Sequence, residues 1–121
     1  MNLRNLLTMQ EVEITPTKSR NDIFLLFVED HKNTLIKLFL PSFKEFIEDS
    51  YNDQSLEFAY TIPCLVDNKG LSFFWIRVKG DPHKDTIITF CKRVDNMYIG
   101  LFSFNLYDFA IKINDYVKAD I

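Results

Sequence analysis

The chain has 121 residues, 47% of them hydrophobic, and a formal net charge of −3, which fits one globular domain with its own core. This acidic balance argues against nucleic acid as the main ligand, because that function needs a basic surface. No apolar stretch is long enough for a signal peptide or a membrane span, and two cysteines without secretory context indicate reduced thiols. We therefore expect a single cytoplasmic domain over residues 1–121, with no membrane partner.

Residues 1–28 are weakly patterned. Val12 and Ile14 alternate with polar residues, which allows a short strand before Pro16. The apolar run at 23–28 is too short for its period to decide between a buried strand and the opening of a helix.

Residues 30–50 show helical spacing, with apolar residues three and four positions apart. A proline in a helix removes one hydrogen bond and clashes with the preceding turn. We therefore predict one broken helix, interrupted near Leu40 and resuming with Pro41 in its first turn. His31, beside Glu29 and Asp30, is expected at the surface near the start of this helix.

A β-meander over 55–104 is the clearest prediction. Residues 56–66 place an apolar side chain at every second position, which is the period of a strand. Turn signals, the strongest at 67–70, separate it from three further strands. The four predicted strands are 56–66, 71–79, 86–94 and 97–104.

The second strand of this meander is apolar on both faces. Phe73 and Trp75 share one face with Arg77, whereas Phe74 and Ile76 lie on the other. Either both faces are covered within the chain, or the face of Phe73 and Trp75 is an exposed binding patch.

The closing element at 106–121 has two interpretations. Its apolar residues stand at helical spacing, which favours an amphipathic helix. The segment can also be read as strand, turn and strand around Asn114 and Asp115. Periodicity by itself favours the helix.

Four short motifs suggest a family. They are Leu40-Pro41-Ser42-Phe43, Phe74-Trp75-Ile76-Arg77-Val78, Tyr98-Ile99-Gly100-Leu101 and Ile111-Lys112-Ile113-Asn114-Asp115-Tyr116-Val117. On these motifs the chain resembles the DUF2314 (YegJ-like) family of small bacterial proteins over about residues 33–121. It departs from that family at Ser72 and Phe73, where an acid and a histidine are usual, and at Asn114, where glycine is usual.

The resemblance implies an α+β fold. Its antiparallel sheet, of four to five strands, would be strongly curved, partly closed and barrel-like, with the broken helix packed against it and a strand near Ile113. It implies no established activity. Small domains of this kind occur among immunity proteins of bacterial toxin systems, which is an analogy of fold.

Candidate chemistry is sparse. Asp81, His83 and Asp85 alternate through one turn, but a flexible hairpin with no second ligand cluster makes a poor metal site. Cys64 and Cys91 lie within strand patterns, which indicates buried structural thiols. The scattered glycines form no phosphate-binding loop. We therefore expect no enzyme, no cofactor and no metal.

The sequence thus predicts a protein-binding domain, most specifically an immunity-type protein that neutralises a cognate toxin through an acidic surface. The alternative is a structural or homodimeric domain that associates through an open sheet edge or an aromatic face. A third class, a barrel that binds a small molecule, would need a cavity lined by Phe and Tyr. The candidate partner-binding residues are Glu45, Glu48, Asp49, Asp53, Phe73, Trp75 and Arg77.

Overall fold

The computed structural model describes residues 1–52, 60–66, 69–77 and 86–118, which form one antiparallel sheet and two helices. The predicted α+β class and the antiparallel sheet are confirmed. Each strand pairs with its neighbour in the chain, so the strand order is β1 to β8. The elements are β1 (Asn2–Asn5), β2 (Gln10–Ser19), β3 (Asp22–Glu29), β4 (Lys32–Phe39), α1 (Leu40–Asn52), β5 (Tyr60–Val66), β6 (Lys69–Arg77), β7 (Thr86–Val94), β8 (Met97–Asn105) and α2 (Leu106–Lys118).

The N-terminal region corrects the prediction of a weakly patterned segment over 1–28. It contains three strands, and β2 runs on through Pro16 instead of ending before it. A proline cannot donate to a strand ladder, but β1 has already ended here, since its last partner on β2 is Glu13. With β4, these strands extend the predicted sheet of four to five strands to eight.

The helix predicted over 30–50 is wrong in its first half, which is β4. Ile36 and Leu38 face the core from β4, while Leu35 and Phe39 project from its other side. Apolar residues on both sides of a strand hide its period of two and imitate helical spacing. The second half is correct, because α1 begins at Leu40 and carries Pro41 in its first turn.

Asp30 and His31 form the turn between β3 and β4, so His31 is not at the start of a helix. Both residues have positive φ, 49° and 63°, as a tight hairpin turn of the type I′ class requires. His31 is nevertheless exposed, as expected.

The meander is present as β5 to β8. The bounds of β7 are those predicted, β8 reaches one residue further, and β6 begins two residues earlier, at Lys69. The predicted strand residues 56–59 and 78–79 lie outside the described residues.

The closing element is helix α2, as its periodicity favoured, and the strand that the resemblance implied near Ile113 is wrong. The side-chain oxygen of Asn105 accepts a hydrogen bond from the Asp108 amide (3.0 Å), which caps the N-terminus of α2. The apolar residues of α2 lie along one side of the helix and pack against the core. The fold therefore has two separate helices in place of one broken helix. The buried apolar residues of α2 are Leu106, Phe109, Ala110, Ile113 and Val117.

The core is built from phenylalanine rings. Phe27 of β3 lies 5.1 Å from Phe90 of β7 and 4.7 Å from Phe102 of β8, measured between ring centroids in edge-to-face geometry. Phe109 of α2 stacks on Phe104 at 6.0 Å and contacts Phe43 of α1 at 6.3 Å. Both helices therefore pack on the side of the sheet that carries these rings.

Candidate binding surfaces

The predicted acidic residues are only partly displayed. Glu45 and Glu48 are exposed on α1, on the side away from the core residues Phe43 and Ile47. Exposed Lys44 lies among them. Helix α2 adds two exposed acids, Asp108 and Asp115, and two exposed lysines, Lys112 and Lys118. The side chain of Asp49, and Asp53 altogether, lie outside the described residues. The outer side of the helices is therefore mixed in charge.

The predicted aromatic residues lie in β6, and their register is informative. Phe73 pairs with Phe90, and Trp75 pairs with Ile88; both partners on β7 are fully buried in the core. Directly opposed residues share one face of a sheet. The positions of Phe73, Trp75 and Arg77 thus belong to the core-facing side of β6, and their side chains lie outside the described residues.

A buried asparagine joins the first strand to the last. Asn5 is fully buried, and its amide nitrogen donates to the Glu29 carboxylate and to the Leu101 carbonyl, each at 3.1 Å. Its side-chain oxygen accepts from the amides of Leu7 (3.1 Å) and Ser103 (3.0 Å). We call these four bonds the Asn5 cluster. They satisfy both polar atoms of a buried side chain, as burial of an amide demands.

The β1–β2 turn, residues 6–9, is held by further hydrogen bonds. The amide of Leu6 donates to the Ser103 carbonyl (2.7 Å), and the amides of Thr8 and Met9 donate to the Asn5 carbonyl (3.3 and 2.7 Å). The Thr8 hydroxyl donates to the Glu29 carboxylate at 2.5 Å. Hydrogen bonds to β8 and to Asn5 therefore hold the backbone of this turn in place.

The same turn presents large apolar side chains to solvent. Leu7 is 54% exposed and Met9 60% exposed, and Leu6 is also exposed. Met9 has φ 62°, a left-handed conformation that costs a residue with a Cβ of order 1–2 kcal/mol. Leu7 lies over Gly100 of β8: a Cβ built at Gly100 would stand 3.1 Å from Leu7 Cδ1. Exposed apolar side chains on a well-anchored turn make it a candidate binding element.

Among the described side chains, the end of the sheet that carries the β1–β2 turn displays more acids than cations. Neighbouring strands are antiparallel, so the turns after β3 and β7 lie at this end as well. Acids outnumber the described cations there. The exposed acids are Glu11, Asp30 and Asp95, with Glu29 partly buried, and the exposed cations are Arg4 and Lys32.

A second apolar surface lies on the side of the sheet away from the helices. We call it the β3–β4 face: the outward residues Phe24, Leu26, Val28, Leu35 and Phe39. Leu26 pairs directly with Leu35, and Phe24 pairs with Lys37, which stands between Leu35 and Phe39. Phe39 is 52% exposed and Leu35 41% exposed. These five residues form an apolar strip across two strands, which Lys37 interrupts on β4.

Cys91 of β7 is buried, as predicted, and is a free thiol. Burial raises its pKa to about 11 from an ordinary 9.0, because the charged thiolate loses solvation. The thiol therefore stays protonated and unreactive near neutral pH. The side chain of Cys64 lies outside the described residues.

The part of the chain that the structure describes holds no group of three His, Cys, Asp or Glu side chains that could bind a metal ion. The predicted weak candidate, Asp81, His83 and Asp85, lies outside that part. None of the described helices is long and apolar enough to cross a membrane.

Comparisons with protein-family models, with curated proteins and with solved structures found no match. The resemblance to DUF2314 proteins therefore stays a prediction.

Proposed function

We propose that this protein is a non-enzymatic protein-binding domain that docks on its partner through the β1–β2 turn. The observation that carries the proposal is the rigid display of Leu6, Leu7 and Met9. Binding normally costs the free energy of ordering loops and side chains, and a turn fixed in advance by hydrogen bonds lowers that cost. Exposed apolar anchors on such a turn fit a pocket on another protein.

The side chains themselves suit an interface. Leucine and methionine bury large apolar areas, and the unbranched Met9 adapts to irregular pockets. Acids around the turn, Glu11 and Asp30 among them, would steer a basic partner and form a polar rim. An apolar centre inside a charged rim is the usual arrangement of a specific interface.

In its specific form, the proposal names a toxin as the partner, which this protein neutralises as an immunity-type protein. The acidic balance of the chain and the analogy with small bacterial immunity domains support this form. The contact would then be an acidic surface around the turn, with Glu45, Glu48, Asp49 and Asp53 as a separate acidic candidate. We further infer that the sheet is strongly curved and partly closed, because ring contacts join β3 to β7 and β8.

The test is calorimetric titration of the full chain with the toxin domain encoded beside its gene. We expect Leu7→Asp and Met9→Asp each to weaken binding by at least 30-fold, roughly 2 kcal/mol or more, because each places a charge in an apolar contact. Charge reversal of Glu45, Glu48, Asp49 and Asp53 should then have a smaller effect, at most about 10-fold, through electrostatic steering.

Leu35→Thr on the β3–β4 face is the matched control, since it alters an exposed apolar residue on the other surface. If both turn variants bind with wild-type affinity and reversal of the four acids abolishes binding, the contact lies at α1 and not at the turn. No binding of the neighbouring toxin by the wild-type chain would refute the toxin form of the proposal.

A further inference from the structure

Strand β8 forms one edge of the eight-stranded sheet. The end of β1 reaches this edge where the Ser103 carbonyl accepts a hydrogen bond from the Leu6 amide (2.7 Å). The chain then turns away from β8 and enters β2. Residues 97–100 of β8 continue past the place where β1 ends, and we call them the β8 edge.

The direction of the backbone groups on the β8 edge follows from its hairpin with β7. Val94 and Met97 flank a two-residue turn, so they form a hydrogen-bonded pair. In an antiparallel ladder such pairs alternate with pairs whose N–H and C=O groups point away from the neighbouring strand. Tyr98 and Gly100 belong to the second kind, so their amides and carbonyls point away from β7. No described residue outside β7 forms a hydrogen bond with Gly100.

Apolar side chains flank the β8 edge on both faces of the sheet. Leu7 of the β1–β2 turn covers Gly100 on one face, where its Cδ1 lies 3.1 Å from the position of a Cβ built on Gly100. Ile99 and Met97 alternate with Gly100 and so lie on the other face, 48% and 69% exposed. A strand laid along this edge would place one set of its alternate side chains beside Leu7 and the other set beside Ile99.

The β8 edge lacks the features that usually protect an exposed strand. Natural sheets block their edges with charged side chains, especially lysine, or with proline, because unpaired backbone groups accept another strand. Residues 97–100 are Met, Tyr, Ile and Gly, which include neither. On β1, at the opposite edge, Lys112 Nζ instead donates to the Asn2 carbonyl (2.8 Å). Since an extended chain carries N–H and C=O groups at the spacing of the β8 edge, the complement of this edge is another strand.

We propose that the partner of this protein contributes an extended segment that pairs with the β8 edge as an added strand. The inference rests on the proposed function, because it specifies how a partner that contacts Leu7 is held. About four residues of the segment would pair with the edge, at ordinary strand spacing. Main-chain hydrogen bonds would supply affinity, and the positions beside Leu7 and Ile99 would select apolar side chains.

Two variants isolate the backbone contact. Tyr98→Pro removes an amide that points away from β7, and proline is tolerated at such an edge position. Tyr98→Val, the matched control, removes the same aromatic side chain and keeps the amide. The probe is a displayed library of random peptides of about ten residues, the upper length of ordinary strands, selected on the full wild-type chain. We expect selected peptides to bind Tyr98→Pro about 5-fold or more weakly than Tyr98→Val, because one main-chain hydrogen bond is lost.

Hydrogen exchange followed by NMR gives a readout at single amides of the wild-type chain. In the free protein, Ile99 should be protected by its pairing with β7, whereas Tyr98 and Gly100 should exchange rapidly. A selected peptide should slow exchange at Tyr98 and Gly100 at least 10-fold. A contact with the Leu7 side chain alone would leave these two amides unprotected. This measurement tests the proposal even if Tyr98→Pro does not fold.

Selection of no peptide, or of peptides that bind Tyr98→Pro and Tyr98→Val equally well, would overturn the proposal. So would protection of Gly100 that rises with the concentration of the chain alone, because a second copy would then occupy the edge. If peptides pair with the edge but the neighbouring toxin does not bind, the added strand stands and the toxin form of the proposed function fails. If the toxin binds through Leu7 without protecting Gly100, the proposed function stands and the added strand fails.

Discussion

The β1–β2 turn and the β3–β4 face are both exposed and apolar, but they are built in opposite ways. The β1–β2 turn is a short connection. Its shape depends on the hydrogen bonds that Asn5, just before the turn, makes with Leu101 and Ser103, which are far away in the chain. The β3–β4 face lies on two regular strands, whose shape depends on the ladder between them and on the ladders to β2 and β5. Exposed apolar side chains can thus be held in place by a polar cluster or by regular secondary structure. We expect the stability of the protein to respond differently to mutation in the β1–β2 turn and in the β3–β4 face.

The largest expected difference lies at Asn5. We expect Asn5→Ala to lower the free energy of unfolding by about 3 kcal/mol, because it leaves the Leu101 carbonyl and the Ser103 amide without their partner in a buried site. Leu35→Thr on the β3–β4 face should stay within about 0.5 kcal/mol of the wild type. Urea titration measures both. A loss at Asn5 no larger than that at Leu35 would end the distinction between the two surfaces.

Cys91 lies close to the β1–β2 turn and can report on it. It pairs with Gly100, and Gly100 lies beneath Leu7. Its folded-state pKa of about 11 exceeds the ordinary 9.0, so between these pH values the unfolded chain loses a proton that the folded chain keeps. Stability therefore falls as pH rises from 9 to 11. Urea titrations across this range check the slope.

Cys91→Ala is the reference for this titration, since it lacks the thiol and keeps every other side chain. The pH dependence of the wild type should be the steeper of the two. In Asn5→Ala, alkylation of Cys91 followed by mass spectrometry should be faster than in the wild type, because the turn beside it loosens. Equal slopes and equal alkylation rates would contradict the link between Cys91 and the turn.

The smallest expected effect is at Met9. We expect Met9→Gly to raise the free energy of unfolding by up to about 1 kcal/mol, because glycine adopts φ 62° without strain and this relief exceeds its entropic cost in the unfolded chain. Met9→Ala, which keeps the Cβ, is the control and should give no such gain. Thermal melting of the three proteins measures the difference. A loss of stability in Met9→Gly would mean that side-chain contacts outweigh backbone strain.

Part of this architecture follows from local sequence. The bounds of β7 and the place of Pro41 in the first turn of α1 were predictable, because alternation and proline chemistry act over a few residues. The strand β4 was missed because Leu35 and Phe39 make its outer side apolar, which masks alternation. The property that misled the prediction is the one that forms the β3–β4 face.

The β1–β2 turn was beyond prediction for another reason. Residues 6–9 contain no glycine, proline or asparagine to mark a turn, and a methionine in a left-handed conformation is unusual. The partners that hold the turn, Leu101 and Ser103, are almost a full chain length away. The predicted acids Glu45 and Glu48 are exposed, but the sequence could not show that α2 packs beside α1 and adds the exposed lysines Lys112 and Lys118.

The Asn5 cluster also has a consequence for the order of folding. The strand ladders join neighbours in the chain, so they can form by successive short steps, whereas the Asn5 to Ser103 bond spans 98 residues. Contacts of such long range form late, after most of the chain is ordered. We therefore expect Asn5→Ala to accelerate unfolding while leaving the refolding rate nearly unchanged, as stopped-flow kinetics would reveal. The residue that fixes the turn would then set how long the native state lasts.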